Sequence, residues 1–356
     1  MASPDPGAGP DKASLKRVFV FNGDADGLVA QHILGMEIGA PDLRVTGGKR
    51  DIELLAQVPP LVSGHIYAMD ISLRRNLDAL GRLMPLLSQG NLKITWYDHH
   101  EPGEPPADAN IVLHINQAPE TCTAAIVNAV HGLRHPLWAA MAAFGDNLPA
   151  TASALASSGG ASSHEAALLR RVGVLINYNA YGEKPGDRFF EPADLATRMA
   201  PFVSALDFCW EASIIGPLAA QFDADRDRFQ DLTALVDAPG AQAFLVPDEP
   251  FARRYGATWA NERILQQPGI ALAVLHPRIE GGYQVSIRAP RDWSGRASVG
   301  FADPGTGTSS AHAPSAADLA KEFPTGGGRK LAAGIDALPA DQLGRFTERF
   351  RDFFGS

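Results

Sequence analysis

The hydrophobic positions between Arg17 and about Asp146 form short apolar runs that alternate with longer amphipathic segments. The short runs, such as RVFVF, HIYAMDI and LKITWYD, have the length and composition of buried strands. The longer segments, such as LVAQHILGMEI and RRNLDALGRLMPLLSQ, carry apolar residues at helical spacing. This alternation predicts an α/β domain over residues 17–150, with a doubly wound and mostly parallel sheet.

The pattern changes twice after this domain. Residues 151–269 begin with the stretch TASALASSGGASS and continue with mainly helical periodicity, which predicts a helical connector. From Ile270 onward, the strand-like runs IALAVLH, YQVSIRA and ASVGF precede a glycine cluster and the amphipathic segment DQLGRFTERFRDFF. We therefore predict a second, smaller α/β domain over residues 270–356.

Composition and charge narrow the class of protein. A formal net charge of -9 argues against a protein that coats long nucleic acid by charge alone. Residues 1–16 are rich in Pro, Gly, Ala and Asp and predict a disordered tail, and no apolar run is long enough to span a membrane. The two cysteines, Cys122 and Cys209, indicate neither a disulfide framework nor a thiolate zinc site. We expect a soluble, cytoplasmic protein.

Polar residues cluster where the predicted strands end, which is the edge at which doubly wound sheets bind ligands. These residues are Asn22, Asp24, Asp26, Asp70, Asp98, His99 and His100, and Asp146 follows the later apolar segment WAAMAAF. Crowded carboxylates repel one another unless a cation lies between them, and a neutral imidazole is a common metal ligand. A carboxylate beside a ligand histidine can fix its tautomer, a role we expect Asp98 to have for His99.

Each of these residues also has an ordinary structural interpretation. Asn, Gly and Asp are common turn residues, so NGDADG can be a simple turn, and Asp146 can be a helix cap or turn residue. A single histidine usually lies in the core or at the surface without a ligand. The combination favours a metal site, because an Asp-x-Asp turn, a strand-end Asp, an Asp-His-His triplet and a later Asp occur within one predicted domain.

The order NGDADG, MDIS, YDHH, FGDN resembles the four motifs of the DHH phosphoesterases. That superfamily includes single-strand DNA exonucleases, nano-RNA hydrolases, cyclic-dinucleotide hydrolases and inorganic pyrophosphatases. The segment DADGLVA looks closer to the exonuclease branch than to the pyrophosphatase branch, and the chain as a whole is similar to the exonuclease and nano-RNA hydrolase members. YQVSIRA and GGGRKLAAG are similar to the superfamily's C-terminal substrate domain and its glycine-rich signature. The resemblance implies a hydrolase with two divalent cations, for which we expect Mn²⁺, with Mg²⁺ and Co²⁺ as alternatives.

The resemblance also assigns roles to individual residues. It implies one ion at Asp24 and Asp70 and a second ion at Asp26, Asp70, His99 and Asp146, with Asp70 as the bridge. His100 would contact the substrate or protonate the leaving oxygen, so the candidate catalytic residues are Asp70, His99 and His100. The candidate substrate-binding residues are His100, Arg288, Gly326, Gly327, Gly328 and Arg329.

Two positions depart from the superfamily's pattern. Asn22 stands where a metal-binding histidine is usual, and its amide oxygen is a weaker ligand, so the first ion site is expected to be weakened. Arg329 stands where the glycine signature usually ends in histidine, although a guanidinium can bind a phosphate through two parallel hydrogen bonds. Arg288 could reach the same phosphate or be a solvated strand-end residue, and the glycines could form a turn without a ligand.

Three functions remain open at this stage. The first is a phosphodiesterase or exonuclease that hydrolyses short oligonucleotides or nucleotides. The second is a hydrolase of pyrophosphate, polyphosphate or a 3′-phosphonucleotide, and the third is a non-catalytic nucleotide-binding protein with a weakened metal site. No membrane or obligate protein partner is expected, and homodimer formation stays open.

Overall fold

The computed structural model describes residues 17–182, 184, 186–290 and 315–355. The chain divides into two compact units, Met1–Phe222 and Asp223–Ser356, and each is described by itself. The boundary between the units falls inside the segment predicted as a connector. The tail predicted for residues 1–16 and the run ASVGF lie outside the described residues.

The first unit consists of five strands and eight α-helices among its described residues. The strands are β1 (Arg17–Asn22), β2 (Leu43–Gly47), β3 (Gly64–Met69), β4 (Leu92–Asp98) and β5 (Ile111–Ile115). The helices are α1 (Ala25–Ile38), α2 (Leu77–Ser88), α3 (Thr123–Val130), α4 (Pro136–Gly145), α5 (Pro149–Ser158), α6 (Ser163–Ala180), α7 (Pro192–Met199) and α8 (Ala205–Glu211). A further helix, α9 (Ile215–Phe229), crosses the boundary between the units.

The five strands form an all-parallel sheet in the order β2-β1-β3-β4-β5, which confirms the predicted α/β fold class. Side chains alternate along β1, so that Val18 and Val20 join the core on one face while Phe19 and Phe21 join the core on the other. Helices cover both faces, which explains why RVFVF is continuously apolar. The strand order reverses between β1 and β3, and the ligand crevice of such sheets opens at that point.

Helix α4 brings a distant part of the chain to this edge of the sheet. It packs against α1, α5 and α6. All residues from Trp138 to Gly145 are buried, so the helix is apolar on every side, and its alanines let the neighbouring helices approach closely. The helix ends at Asp146, which is thereby placed near the ends of the strands. None of the described helices is long and apolar enough to cross a lipid bilayer.

The second unit is a six-stranded sheet with helices, in the order β10-β11-β9-β8-β7-β6. The strands are β6 (Ala234–Ala238), β7 (Ala241–Leu245), β8 (Ala271–Pro277), β9 (Tyr283–Arg288), β10 (Gly326–Gly328) and β11 (Ala332–Leu338). The helices are α10 (Pro250–Gln266), α11 (Ala316–Lys321) and α12 (Leu343–Phe354). All neighbouring strands are antiparallel except β7 and β8.

Strands β6 and β7 lie inside the segment predicted to be a helical connector, so this sheet begins before Ile270. Each is only five residues long and carries a polar residue, Asp237 or Gln242, which conceals the strand pattern in the sequence. β7 pairs with β8, and β6 pairs with β7, which makes both strands part of the sheet. The final helix α12 buries Phe346, Phe350 and Phe354 at helical spacing, as its periodicity predicts.

Candidate metal centre

The segment NGDADG forms a tight turn between β1 and α1. The amide Oδ1 of Asn22 accepts the backbone N–H of Asp24 at 3.1 Å. Asp24 is the N-cap of α1, and its Oδ1 accepts the backbone N–H groups of Asp26 at 3.0 Å and Gly27 at 3.1 Å. A Cβ at Gly27 would come within 2.2 Å of the carbonyl oxygen of Asn22, so only glycine fits there. The ordinary turn interpretation therefore describes part of this motif, including Asn22.

Asp26 is buried and held rigidly by a second helix. Its Oδ2 accepts the backbone N–H of Thr123 and its Oδ1 that of Ala124, both at 2.7 Å. These are the first two amides of α3, which have no partner inside the helix. Hydrogen bonds from amides to a carboxylate are short and strong, and each oxygen keeps a lone pair for a cation. Asp26 thus has a structural role and is also preorganised as a ligand.

Asp70 lies in a strained and crowded position directly after β3. Its φ of 57° is left-handed, a conformation that aspartate tolerates better than most residues with a side chain. The side chain is almost fully buried, and its Oδ1 accepts the hydroxyl of Thr123 at 3.3 Å. Burial first, and then the charges of Asp24, Asp26, Asp146 and Asp98, raise the pKa of Asp70 well above its ordinary value. A bound cation would relieve this repulsion.

His99 has the geometry of a metal-ligating histidine. Its Nδ1 lies 3.0 Å from the carbonyl oxygen of Thr121. Because a carbonyl can only accept, Nδ1 carries the proton and the lone pair is on Nε2. That Nε2 lies 3.5 Å from Oδ1 of Asp70 and 4.0 Å from Oδ2 of Asp146. The expectation that Asp98 fixes this tautomer is wrong. The Asp98 side chain accepts the backbone N–H of His99 at 2.9 Å and makes no hydrogen bond to the imidazole of His99 among the described contacts.

Asp98 instead holds His100. Its Oδ1 lies 2.7 Å from Nδ1 of His100, and this hydrogen bond is the main reason that the pKa of His100 is raised, with burial opposing it. Asp98 is completely buried, and its Oδ2 has no hydrogen-bond partner among the described residues. An unpaired buried carboxylate oxygen is unfavourable unless a water or cation satisfies it. The His100 side chain is about half exposed and accessible to a substrate.

Lys49, which the sequence analysis did not identify, also lies in the centre. Its Nζ is 2.5 Å from Oδ2 of Asp24, 3.2 Å from Oδ1 of Asn177 and 3.5 Å from Oδ1 of Asp146. Burial tends to lower the pKa of Lys49, but the charges of Asp24, Tyr181 and Asp146 raise it well above its ordinary value. Since Lys49 follows the parallel strand β2, the strand-end rule that selected Asp24 would also have selected Lys49.

The two carboxylates that flank Lys49 have pKa values shifted in opposite directions: that of Asp24 is lowered and that of Asp146 is raised. Burial works to raise the pKa of Asp24, but the charge and hydrogen bond of Lys49 prevail and lower it. Burial and the charge of Asp26 raise the pKa of Asp146 to about 6, against the effect of Lys49. Asp24 is therefore an anion paired with an ammonium group, whereas Asp146 binds a proton more readily and would release that proton when a cation binds.

The two predicted sets of ligands fit an ion differently. Asp26, His99 and Asp146 each offer a ligand atom within 4.8 Å of the others, and His99 belongs to a second such group with Asp70, Asp98 and His100. Carboxylate oxygens and imidazole without thiolate suit Mn²⁺, Mg²⁺ or Co²⁺. In the first set, the amide oxygen of Asn22 accepts a backbone N–H, and both oxygens of Asp24 have partners. The residues present thus fit one divalent ion at the set that contains His99.

Comparison by sequence finds no matching protein family and no matching curated protein. Solved structures do match. A DHH domain described as a member of the s1p family of ribosomal proteins has a TM-score of 0.60 and 13% identity, and the match covers 95% of this chain and 86% of that one. Exonuclease RecJ bound to manganese has a TM-score of 0.55 and 18% identity, and the match covers 95% of this chain and 90% of that one. RecJ from Thermus thermophilus in complex with Mn²⁺ has a TM-score of 0.56 and 18% identity, and the match covers 95% of this chain and 52% of that one.

The chain has the DHH fold. The fold expected from the order of the four motifs is therefore confirmed. At these identities the likeness concerns the fold, so the roles of the residues depend on their own geometry. Within the DHH fold, the structure brings Asp26 and Asp146 close to His99, and His99 close to Asp70. It places Asn22 and Asp24 around Lys49.

The predicted substrate-binding residues all lie in the second unit except His100. Arg288 pairs with Ala332 on β11, and the backbone N–H of Arg329 donates to the carbonyl of Ala332 at 2.7 Å. The two arginines therefore flank the same position of the sheet, and Arg329 is exposed. A Cβ at Gly326 would come within 1.7 Å of the carbonyl oxygen of Ala320, so packing against α11 is enough to require that glycine. Gly327 and Gly328 complete the short strand β10.

Proposed function

We propose that the chain is a metal-dependent phosphoesterase. The observation that carries this proposal is the orientation of His99, whose Nε2 lone pair is directed at Asp70 and Asp146 while Thr121 holds Nδ1. A cluster of aspartates at turns and helix caps has ordinary explanations, but an imidazole oriented in this way is typical of a metal ligand. The centre also lies at the carboxyl edge of the sheet, near the reversal of strand order.

The chemistry follows from the donor set. Asp26, Asp70, His99 and Asp146 would hold a divalent cation, which would supply a coordinated water of lowered pKa and a positive charge for the phosphoryl oxygens. Asp26 is immobilised by two backbone amides and His99 by one carbonyl, so these groups need little reorganisation during the reaction. His100, with its raised pKa and its hydrogen bond to Asp98, is placed to donate a proton to the leaving oxygen.

The substrate class that we propose is a short oligonucleotide or a nucleotide. Two structures with this fold are those of RecJ with manganese, one of them described as an exonuclease, which supports both the substrate class and Mn²⁺ as the ion. Arg288 and Arg329 flank one position of the second sheet, and guanidinium groups are well suited to bind phosphate. The net charge of -9 disfavours a long polyanion and favours a short one that is bound locally.

A second candidate is a nucleotide-binding protein without turnover. It is favoured by Lys49, which pairs with Asp24 and so occupies a carboxylate that the superfamily resemblance assigns to a metal ion. Turnover with Mn²⁺ on dinucleotides, short RNA, short DNA, cyclic dinucleotides and pyrophosphate separates the candidates. We expect hydrolysis of short oligonucleotides that EDTA abolishes and that His100→Gln slows through kcat, with KM little changed.

The other results of this panel have definite meanings. Hydrolysis of pyrophosphate alone would establish the small-phosphate hydrolase instead. Saturable binding of nucleotides without turnover of any substrate, in protein that contains the ion, would establish the non-catalytic alternative. Turnover that persists in EDTA would contradict the metal-dependent mechanism.

A further inference from the structure

A positively charged side chain of the protein, the ammonium group of Lys49, lies beside the candidate ion site. We propose that the ammonium group of Lys49 takes the place of one of the two metal ions implied by the superfamily resemblance, so that the centre binds a single divalent ion beside Lys49. This inference rests on the proposed function and specifies how many ions the centre uses. It differs from the two divalent cations that the superfamily resemblance implies.

The contacts of Lys49 are those of a cation in a shared centre. Its Nζ contacts Oδ2 of Asp24 at 2.5 Å and Oδ1 of Asp146 at 3.5 Å. The other oxygen of Asp146, Oδ2, lies 4.0 Å from Nε2 of His99. One carboxylate therefore lies between the ammonium and the imidazole that is directed at the ion site. In a two-ion centre a carboxylate shared in this way would bridge the two ions.

Lys49 is held in this position from several directions. Its backbone N–H donates to the carbonyl of Ala180 at 2.9 Å, and its Nζ lies 5.6 Å from the centre of the Tyr181 ring. Asn177, on α6, accepts from the ammonium at 3.2 Å. Fixing a long side chain costs conformational entropy, and these contacts offset that cost. The side chain is therefore positioned by the fold.

The departure at Asn22 and the presence of Lys49 are physically connected. The Nδ2 of Asn22 donates to the backbone carbonyl of Lys49 at 3.2 Å. Its Oδ1 accepts the backbone N–H of Asp24, the residue that pairs with the ammonium. The side chain that stands in place of a metal-binding histidine thus supports both members of the ion pair. Asparagine in place of histidine at this position thus removes a metal ligand and helps to position the ammonium group of Lys49.

A metal ion at the first set of ligands would have to displace the ammonium. The Oδ1 of Asp24 already accepts two backbone N–H groups, so Oδ2 is the oxygen for which ion and ammonium compete. Displacement would leave the ammonium of a mostly buried lysine without its carboxylate, which is unfavourable. The set that contains His99 is free of this competition except at the Oδ1 of Asp146.

Counting bound Mn²⁺ ions tests the inference on the intact wild-type chain without measuring activity. We expect calorimetric titration to show one ion per chain, and electron paramagnetic resonance to show an isolated Mn²⁺. Two ions with the spectrum of an exchange-coupled pair would overturn this inference and leave the proposed function standing. Absence of any bound ion would overturn both.

Variants of Lys49 test the competition directly. Lys49→Met frees one oxygen each of Asp24 and Asp146, so we expect the number of bound ions to rise from one to two. Lys49→Arg keeps the charge and should still bind one ion. Lys93→Met, at an exposed position of β4, removes a lysine elsewhere and is the matched control, also expected to bind one ion. A folded Lys49→Met protein that still binds one ion would contradict the inference.

Asp24→Asn gives a test that does not depend on the stability of the Lys49→Met protein. If Asp24 serves the ammonium, this variant keeps one bound Mn²⁺ ion, as in the wild type. If Asp24 is a ligand of a second ion, the wild type binds two ions and the variant loses one of them. Circular dichroism spectra that match the wild type establish that each variant is folded.

Discussion

Asp26→Asn should destabilise the ion-free protein by about 2 kcal/mol more than Asp70→Asn does. Both changes replace a buried carboxyl group of the same cluster with a neutral amide. The two carboxylates differ in their hydrogen bonds. Asp26 accepts the first two amides of α3, both at 2.7 Å, whereas Asp70 accepts no helix amide and bonds the hydroxyl of Thr123 at 3.3 Å among the described contacts. The difference between the variants therefore isolates the bonds to the helix.

The magnitude follows from the number of acceptors. An asparagine has one side-chain oxygen, so either Thr123 or Ala124 must direct its N–H at an amide NH₂ group. A buried donor left without an acceptor costs about 1–3 kcal/mol. Asp70→Asn avoids this cost, because a hydroxyl can rotate and because asparagine tolerates a φ of 57° as well as aspartate does. A difference of about 2 kcal/mol is roughly a 30-fold change in the folding equilibrium constant.

Urea unfolding at neutral pH in EDTA measures this difference, with circular dichroism and tryptophan fluorescence as probes. The double variant Asp26→Asn with Asp70→Asn reports how strongly the two sites are coupled. Equal stability of the two single variants, or a greater loss for Asp70→Asn, would show that the contacts of Asp26 with α3 do not stabilise the fold as we describe.

Three further predictions follow from the same structure. Asp70→Asn should abolish turnover and most of the stabilisation by Mn²⁺, which for the wild type is about 2.7 kcal/mol at an ion concentration of roughly 100 times Kd; an undiminished shift of the thermal unfolding midpoint would remove Asp70 from the centre. The Nε2 of His32 bonds the carbonyl of Phe202, and burial lowers the pKa of His32 from 6.5 to about 4. Between these two values the folded state binds fewer protons than the unfolded state, so the free energy of unfolding decreases as pH falls. Urea unfolding should show a loss of about 2 kcal/mol from this group between about pH 7.5 and about pH 5, and His32→Gln should be less sensitive over that range, so equal slopes would contradict the assignment. Arg254→Met should destabilise the second unit by about 3–5 kcal/mol, because it removes the guanidinium that pairs with the buried carboxylate of Asp225, and a loss within about 0.5 kcal/mol in thermal unfolding would refute this.

The sequence by itself determined the fold class and the edge of the sheet where the chemistry lies. Alternating strand and helix periodicity is a local property, and parallel strands with helices on both faces are its stable arrangement. Because parallel strands end at one edge, Asp26, Asp70 and His99 could be placed together before any coordinates were known. Asp146 was selected because it ends the apolar segment WAAMAAF, and the order of the motifs then assigned it to the metal site.

Only the tertiary structure decided which atoms meet within that edge. Thr121 does not stand out in the sequence, and the strand-end position of Lys49 does not reveal its partners. Both residues acquire roles because the end of β2 and the segment before α3 converge on Asp24 and His99. Asp98 was expected to orient His99, but the backbone directs its carboxylate to His100. Strands β6 and β7 could be recognised only from their pairing, β6 with β7 and β7 with β8. Periodicity reports which face of an element is buried, whereas hydrogen bonds and ion pairs depend on distances of a few ångströms between segments that are remote along the chain.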